Sequence, residues 1–408
     1  MSTGVWIIGA LGDVATTVVL GAGAVARGLA PTAGLVSARP PLSQLPLAEL
    51  GELVFGGHDV RPGTPREAAG GLAQAGVIPA HLVEATGEEL DAYAERIRPG
   101  VAFGAGSTVL ALESEDARVR RESGPREALA TLRADLREFR EREELDRVVV
   151  VALASTEPAP SPADLVGLDD APSLLERLDA GDARLPASLL YALAAFQEGC
   201  AYVNFTPSLG ATCGGMLELA EQLGVPHAGR DGKTGQTLVR TTLAPMFLAR
   251  NLDVLSWAGF NILGNRDGEV LDEPAANEAK TVGKDKVLGG ILGDNLGGSL
   301  TRIDYVPSLG DWKTAWDHVH FAGFLGTQMQ LSLTWRGADS ALAAPLVLDL
   351  VRVLDLALKQ GLRGVQSGLA CFFKTPLGSE EQSFPEQMQL LEAYAARLAE
   401  PVEAQAED

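Results

Sequence analysis

The chain has 408 residues, 46% hydrophobic and 21% charged, the balance of a globular protein too long for one hydrophobic core, so two domains are expected. A net charge of −21 argues against nucleic acid or an anionic membrane as partner. There is no apolar run long enough for a membrane span and no signal-peptide pattern, and Cys200, Cys213 and Cys371 are too scattered for a disulfide framework or zinc site, so a reducing cytoplasm is expected.

Residues 5–10 form a short apolar run ending in glycine, followed by a helical stretch at 14–28 and a second run at 34–37. Strand, glycine turn, helix and strand in that order predict a βαβ opening. Amphipathic helices are expected at 84–97 and 125–145, and the valine run within 146–155 reads as a parallel strand buried on both faces. Further on, helices at 186–199, 216–223 and 237–251 alternate with strands at 201–206 and 254–263. Residues 300–337 look β-rich, helices at 340–360 and 384–399 close the fold, and the acidic tail 400–408 is expected to fray. The resulting fold class is α/β, a Rossmann-type dinucleotide-binding domain plus a central α+β domain.

Gly9-Ala10-Leu11-Gly12 sits where a Rossmann turn should, with Asp13 and Val14 opening the helix whose N-terminus would receive a pyrophosphate. Asp13 would either cap that helix or repel the phosphate. The expected second strand ends in Ser37-Ala-Arg39, which would accept the 2′-phosphate of NADP, while Asp59 in Phe-Gly-Gly-His-Asp is the alternative for a ribose hydroxyl of NAD. Ser155-Thr156-Glu157 follows a buried strand, at the carboxyl edge where cofactors bind.

Lysine is scarce: seven residues, none before Lys233, against 26 arginines. Where arginine supplies the general positive charge, a retained lysine marks a place that needs an amine able to titrate near neutrality. Lys233 lies in the glycine loop 229–237, suited to an anionic ligand, although the P-loop spacing is absent. Lys280 and Lys284 are four apart and would share a helix face, after Gly264-Asn-Arg-Asp267-Gly. Lys313 stands in Gly-Asp-Trp-Lys and Lys374 in Phe-Phe-Lys-Thr-Pro. Asp231 and Asp267, both flanked by glycine, would hold lysines in position or ligate a hard divalent cation. His318 and His320 read as packing histidines on one side of a strand, whereas His58 and His227 stay open.

These segments resemble myo-inositol-1-phosphate synthases (inositol-3-phosphate synthases), nearest the short archaeal type. The resemblance covers nearly the whole chain, with Ala-Ser-Thr-Glu-Pro, Asn-Phe-Thr-Pro-Ser, Val-Pro-His-Ala-Gly and Thr-Thr-Leu-Ala-Pro-Met-Phe in order. It implies a redox-neutral cyclisation of glucose 6-phosphate to 1L-myo-inositol 1-phosphate with bound NAD, in a homotetramer. Lys280 would move the proton of the oxidised hydroxyl, and Lys284 would bind phosphate beside Thr234, Gly235 and Gln236. Lys313 would stabilise the enolate oxygen and Lys374 the C1 oxygen, with Asp231 and Asp267 orienting the amines and a divalent cation assisting. Leu263, Asn265 and Leu271 complete the implied substrate set. Residues 1–240 with 365–408 would form the dinucleotide-binding domain, and 241–364 the catalytic and tetramerisation domain.

Asp13 and Asn265-Arg266 depart from the family pattern. The motifs do not separate this activity from that of a related carbocyclase acting on fructose 6-phosphate. A simple NAD(P)-dependent dehydrogenase and a non-catalytic Rossmann protein are the other readings.

Overall fold

A computed structural model describes residues 2–264, 268 and 287–400. Asn265, Arg266, Asp267, Leu271, Lys280, Lys284, Lys286 and the acidic tail beyond residue 400 lie outside the described residues.

A seven-stranded sheet organises the first half of the chain. Its strands are β1 (Thr3–Ile8), β2 (Leu53–Asp59), β3 (Ile97–Pro99), β4 (Arg147–Ala152), β5 (Ala201–Asn204), β6 (Pro226–Gly229) and β11 (Gly364–Val365). All neighbours are parallel, in the order β11-β6-β5-β4-β1-β2-β3. Successive side chains of β1 and β4 enter two apolar layers: Val5, Ile7, Val149 and Val151 face one, while Trp6, Ile8, Val148 and Val150 face the other. A strand covered on both faces reads as a continuous apolar run, and each such valine contributes about 1.5–3 kcal/mol on burial. Helices Asp13–Ala26 and Asp339–Lys359 cover the first face; Pro125–Arg142 and Ala187–Gln197 cover the second.

Two expectations are corrected. Residues 34–37 are not a strand: Val36–Ala38 is a short 3-10 helix, and the second strand of the unit is Leu53–Asp59. Two prolines follow at 40 and 41, so the apolar run at 34–37 is too short to extend, while Gly56 and Gly57 hide the real strand from a propensity reading. Helix Asp339–Lys359, expected in the central domain, instead packs on the seven-stranded sheet, where its buried Asp355 accepts hydrogen bonds from Thr3 Oγ1 (3.0 Å) and Arg147 Nε (2.8 Å).

The second sheet contains β7 (Asp253–Leu263), β8 (Ser299–Tyr305), β9 (Trp312–Ala322) and β10 (Gln328–Ala338), in the order β10-β9-β7-β8. Pairing is antiparallel except for β7 with β8. Helix Gly235–Ala249 covers one face through Ala244 and Phe247, packed against Trp257 and Val319. On the opposite face Phe260, Leu300 and Trp316 are exposed, with His318 beside them, and Phe324 and Leu325 at the β9–β10 turn are each 86% exposed. By packing, the chain therefore passes to the second sheet after Thr234 and returns at Asp339.

Candidate active site

The chain builds β2 and β3 to one side of β1, then β4, β5 and β6 to the other. That reversal leaves a crevice at the carboxyl ends of β1 and β4, the place where open α/β sheets bind ligands. A cavity of about 330 Å³ occurs there, its wall including Ile8, Ala152 and the turn after each strand. Gly9 has φ of +87°, and a Cβ there would lie 2.8 Å from the backbone of Ala154, so only glycine fits.

The turn is fastened to the end of β2. His58 O accepts from Gly9 N (2.9 Å) and Ala10 N (3.0 Å), Asp59 Oδ2 accepts from Leu11 N (2.7 Å), and Tyr93 Oη donates to Ala10 O (2.9 Å). Gly9, Gly12, Asp13 and Val14 line the cavity, whereas Ala10 and Leu11 are buried behind it. Gly12 starts the helix without a side-chain cap, which leaves the helix N-terminus suited to an anion.

Asp59 closes β2 and faces the cavity. Ser37 and Arg39, in contrast, are not part of its wall. Buried Ser37 donates its N–H to Asp349 Oδ1 (3.0 Å) and accepts from Arg352 Nη1 (2.7 Å); it ties the loop to the long helix. Their placement follows from the misassigned strand.

Ser155, Thr156 and Glu157 line the opposite wall. Glu157 accepts from Ser188 N (2.7 Å) and Ser188 Oγ, and burial pushes its carboxyl up to about 7. His58, left open by the sequence, is a buried wall residue: Trp6 Nε1 donates to its Nδ1 (2.9 Å), so Nε2 carries the proton toward Asp135 (2.9 Å). The His227 ring is buried without a hydrogen-bond partner among the described residues, and burial lowers it to about 4.

Two lysine–aspartate pairs complete the cavity. Residues 229–233 pair antiparallel with 372–377, through Arg230 N to Thr375 O (2.9 Å) and Lys374 N to Asp231 O (2.7 Å). This brings Lys374 Nζ to 2.7 Å from Asp231 Oδ1, though 143 residues separate them. Lys313, near the start of β9, pairs with Leu263 on β7 and Gly337 on β10. Its Nζ lies 3.2 Å from Asp339 Oδ2, at the head of the long helix. Thr234 is the N-cap position of helix Gly235–Ala249; Thr234 and Gln236 line the cavity, with Gly235 between them.

Sequence reading missed Asp339, because no motif surrounds it; only the β9–β10 register delivers it to Lys313. Asp311, quoted only within a motif, accepts from Ser340 Oγ (2.6 Å). Burial first, then the neighbouring Asp339 and Asp13 carboxylates, push it up to about 6. Lys233 is turned away from the cavity: it is buried, donates to Gln387 Oε1 and lies over the Phe384 ring, and burial pulls it down to about 8. Asp231 serves Lys374. Among the described residues no cluster of three or more His, Cys, Asp or Glu gathers as a metal site.

Ammonium groups held by carboxylates in a sheltered cavity stabilise developing oxyanions and exchange protons with them. Placed beside a dinucleotide turn, they suit chemistry on a sugar or hydroxy-acid carbon next to a nicotinamide. Among the described residues no helix is long and apolar enough to cross a membrane.

Comparison with known proteins agrees with this arrangement. The family model described as myo-inositol-1-phosphate synthase matches residues 3–395. Inositol-3-phosphate synthase 1 of Bacteroides thetaiotaomicron is 35% identical over 397 residues, covering 92% of this chain and 89% of that protein. The Trypanosoma brucei brucei inositol-3-phosphate synthase is 37% identical over 240 residues, 56% of this chain, and the match spans only 45% of that longer relative. A Thermotoga maritima myo-inositol-1-phosphate synthase-related protein superposes with a TM-score of 0.78 at 26% identity, covering 97% of this chain and 99% of that one. The Caenorhabditis elegans inositol-3-phosphate synthase structure shares the fold, with a TM-score of 0.86 at 23% identity over 98% of this chain and 86% of its own. Fold, cavity and comparisons together place the chain in the myo-inositol-1-phosphate synthase family, an NAD-binding family whose curated members are inositol-3-phosphate synthases, isomerases of the intramolecular lyase type.

Proposed function

We propose that the protein converts D-glucose 6-phosphate to 1L-myo-inositol 1-phosphate without net redox change. The observation that carries this reading is that Lys374–Asp231 and Lys313–Asp339 face the same cavity as the Gly9 turn. The turn, the uncapped helix N-terminus, Asp59 and the 155–157 wall are the groups that would hold NAD. NAD held by these groups would supply a reversible hydride acceptor at C5 of the sugar, so that the overall change is redox-neutral.

The chain's own residues handle protons and charge. Lys280, by resemblance, takes the C5 hydroxyl proton and later gives it back. The C5 ketone acidifies C6, whose proton passes to the substrate's own phosphate oxygen, and the enolate oxygen so formed is stabilised by Lys313, whose amine Asp339 holds in place. C6 then bonds to C1, and the C1 oxygen takes a proton from Lys374, oriented by Asp231. Lys284 and the Thr234–Gln236 turn hold the phosphate, beside Leu263, with Asn265 and Leu271 by resemblance. Asp267 and a divalent cation remain part of the proposal by resemblance.

Asp59 favours NAD over NADP, since a carboxylate at the end of β2 repels a 2′-phosphate. The exposed Phe260, Leu300 and Trp316 of the second sheet and the Phe324–Leu325 turn support assembly of the central unit into a homotetramer.

Incubation with catalytic NAD and either glucose 6-phosphate or fructose 6-phosphate tests the reaction. An inositol phosphate from the first is expected. A cyclopentane phosphate from fructose 6-phosphate alone would replace the substrate, and stoichiometric NADH would make the protein a dehydrogenase.

A further inference from the structure

Gln236 lines the cavity, yet its side-chain amide is committed on the side away from it. Gln236 Oε1 accepts from Asn261 Nδ2 (2.8 Å), and Gln236 Nε2 donates to Asp317 Oδ2 (2.8 Å). The other oxygen, Asp317 Oδ1, accepts from Arg240 Nε (2.9 Å) and Trp257 Nε1 (2.7 Å), and Arg240 Nη1 donates to Thr301 Oγ1 (2.9 Å). Arg240 and Asp317 are each 1% exposed, while Trp257 and Asn261 are fully buried.

The network links four elements in one geometry. Gln236 and Arg240 are four apart on helix Gly235–Ala249, so they share a face. Lys313 and Asp317 are four apart on β9 and point to the same side of the sheet. One end of β9 thus carries the cavity amine, and the next residue but one on that side but two turns of the pleat along grips the turn at Thr234–Gln236. Beneath the guanidinium, Gly259 pairs with Asp317 across β7 and β9. A Cβ on Gly259 would lie 1.7 Å from Arg240 Nη2 and 2.7 Å from Gln236 Nε2, so the strand is bare where the network crosses it.

A buried ion pair is a poor way to gain stability, because desolvation offsets most of its attraction and apolar side chains of similar size often serve the fold as well. The apolar cluster of Phe247, Trp257 and Val319 lies on the same face of the sheet and would extend into that space. What hydrogen-bonded charges add over apolar contacts is directionality: each bond that forms holds its donor and acceptor at a set distance and angle.

We propose that Arg240 and Asp317 are positioning residues that fix the Gln236 amide, and with it the anion-binding turn Thr234–Gln236, in register with Lys313. The inference rests on the phosphate cradle of the proposed function.

The test uses the full-length protein with NAD bound, and inorganic phosphate and glucose 6-phosphate as probes. In the double variant Arg240→Met/Asp317→Leu the melting temperature and NAD affinity are expected to stay near wild type. Its KM for glucose 6-phosphate and its Kd for phosphate should both rise at least tenfold, with a smaller change in kcat. Trp257→Phe keeps the packing and removes one donor to Asp317, so a rise of about threefold in both constants is expected. Arg240→Lys, which keeps the charge but not the fork, should fall between the two. A folded double variant with wild-type KM and phosphate Kd overturns the inference. If the double variant does not fold, unchanged constants in Trp257→Phe and Arg240→Lys overturn it equally. A wild-type protein that binds no phosphate would instead sink the cradle, and the proposed function with it.

Discussion

In the seven-stranded sheet both faces are covered, and β1 and β4 divide their side chains between two apolar layers. In the four-stranded sheet one face is covered, while Phe260, Leu300 and Trp316 stand exposed on the other. The first arrangement is complete within one chain and leaves its cavity at the strand ends. The second is covered on one face only and exposes Phe260, Leu300 and Trp316 among polar residues such as Arg302, His318 and Thr334 on the other. The cavity lies where they meet, so its amines come from both: Lys374 from the segment paired beside β6, Lys313 from β9. Chemistry depends on the register between the sheets, and each sheet's own stability does not.

Breaking an amine should therefore cost the most. Lys374→Ala is expected to lower turnover by about 10²- to 10³-fold, the scale of a lost oxyanion partner, with little change in circular dichroism. Inositol phosphate formation above a tenth of wild type would end its assigned role. Lys280→Ala, on the same reading, should be equally silent in the assay.

Asp339→Asn keeps Lys313 but removes its carboxylate. A fall of about 10- to 100-fold in kcat is expected, with NAD affinity retained, because the lost pairing lies on the second-sheet side of the cavity. Equal losses in both would mean that Asp339 shapes the dinucleotide site instead.

The outer face of the second sheet can be broken alone. Phe324→Asp with Leu325→Asp should shift the sedimentation coefficient to a smaller assembly and leave NAD binding unchanged. A wild-type sedimentation profile would remove that turn from the interface.

Glu157 gives a smaller effect confined to the first sheet's wall. Its carboxyl titrates at about 7 in the fold, above its ordinary 4.5. The folded state therefore holds the proton more tightly, and the stability this contributes is lost as pH rises through 7. Between pH 5.5 and 8 the wild type should lose about 2 kcal/mol more than Glu157→Gln. Parallel denaturation curves for the two would show that the carboxyl does not titrate there. Lys359→Arg, exposed near the end of the long helix, should change stability by less than about 0.5 kcal/mol.

The sequence by itself determined the glycine turn, the valine strand, most helices and the residue types of the site. Their signals are local: apolar periodicity, glycine where backbones approach, lysine retained among arginines. It did not place the second strand, because Gly56 and Gly57 mask a run that burial alone makes a strand. Nor did it show that Lys233, inside the glycine loop, faces away from the cavity while Lys374, in Phe-Phe-Lys-Thr-Pro, faces in. The pairing of 229–233 with 372–377, the register that carries Asp339 to Lys313, and the clasp of Arg240 and Asp317 on Gln236 were decided by tertiary structure. Each joins residues distant in the chain, and contacts of that kind leave no periodicity for a single sequence to display.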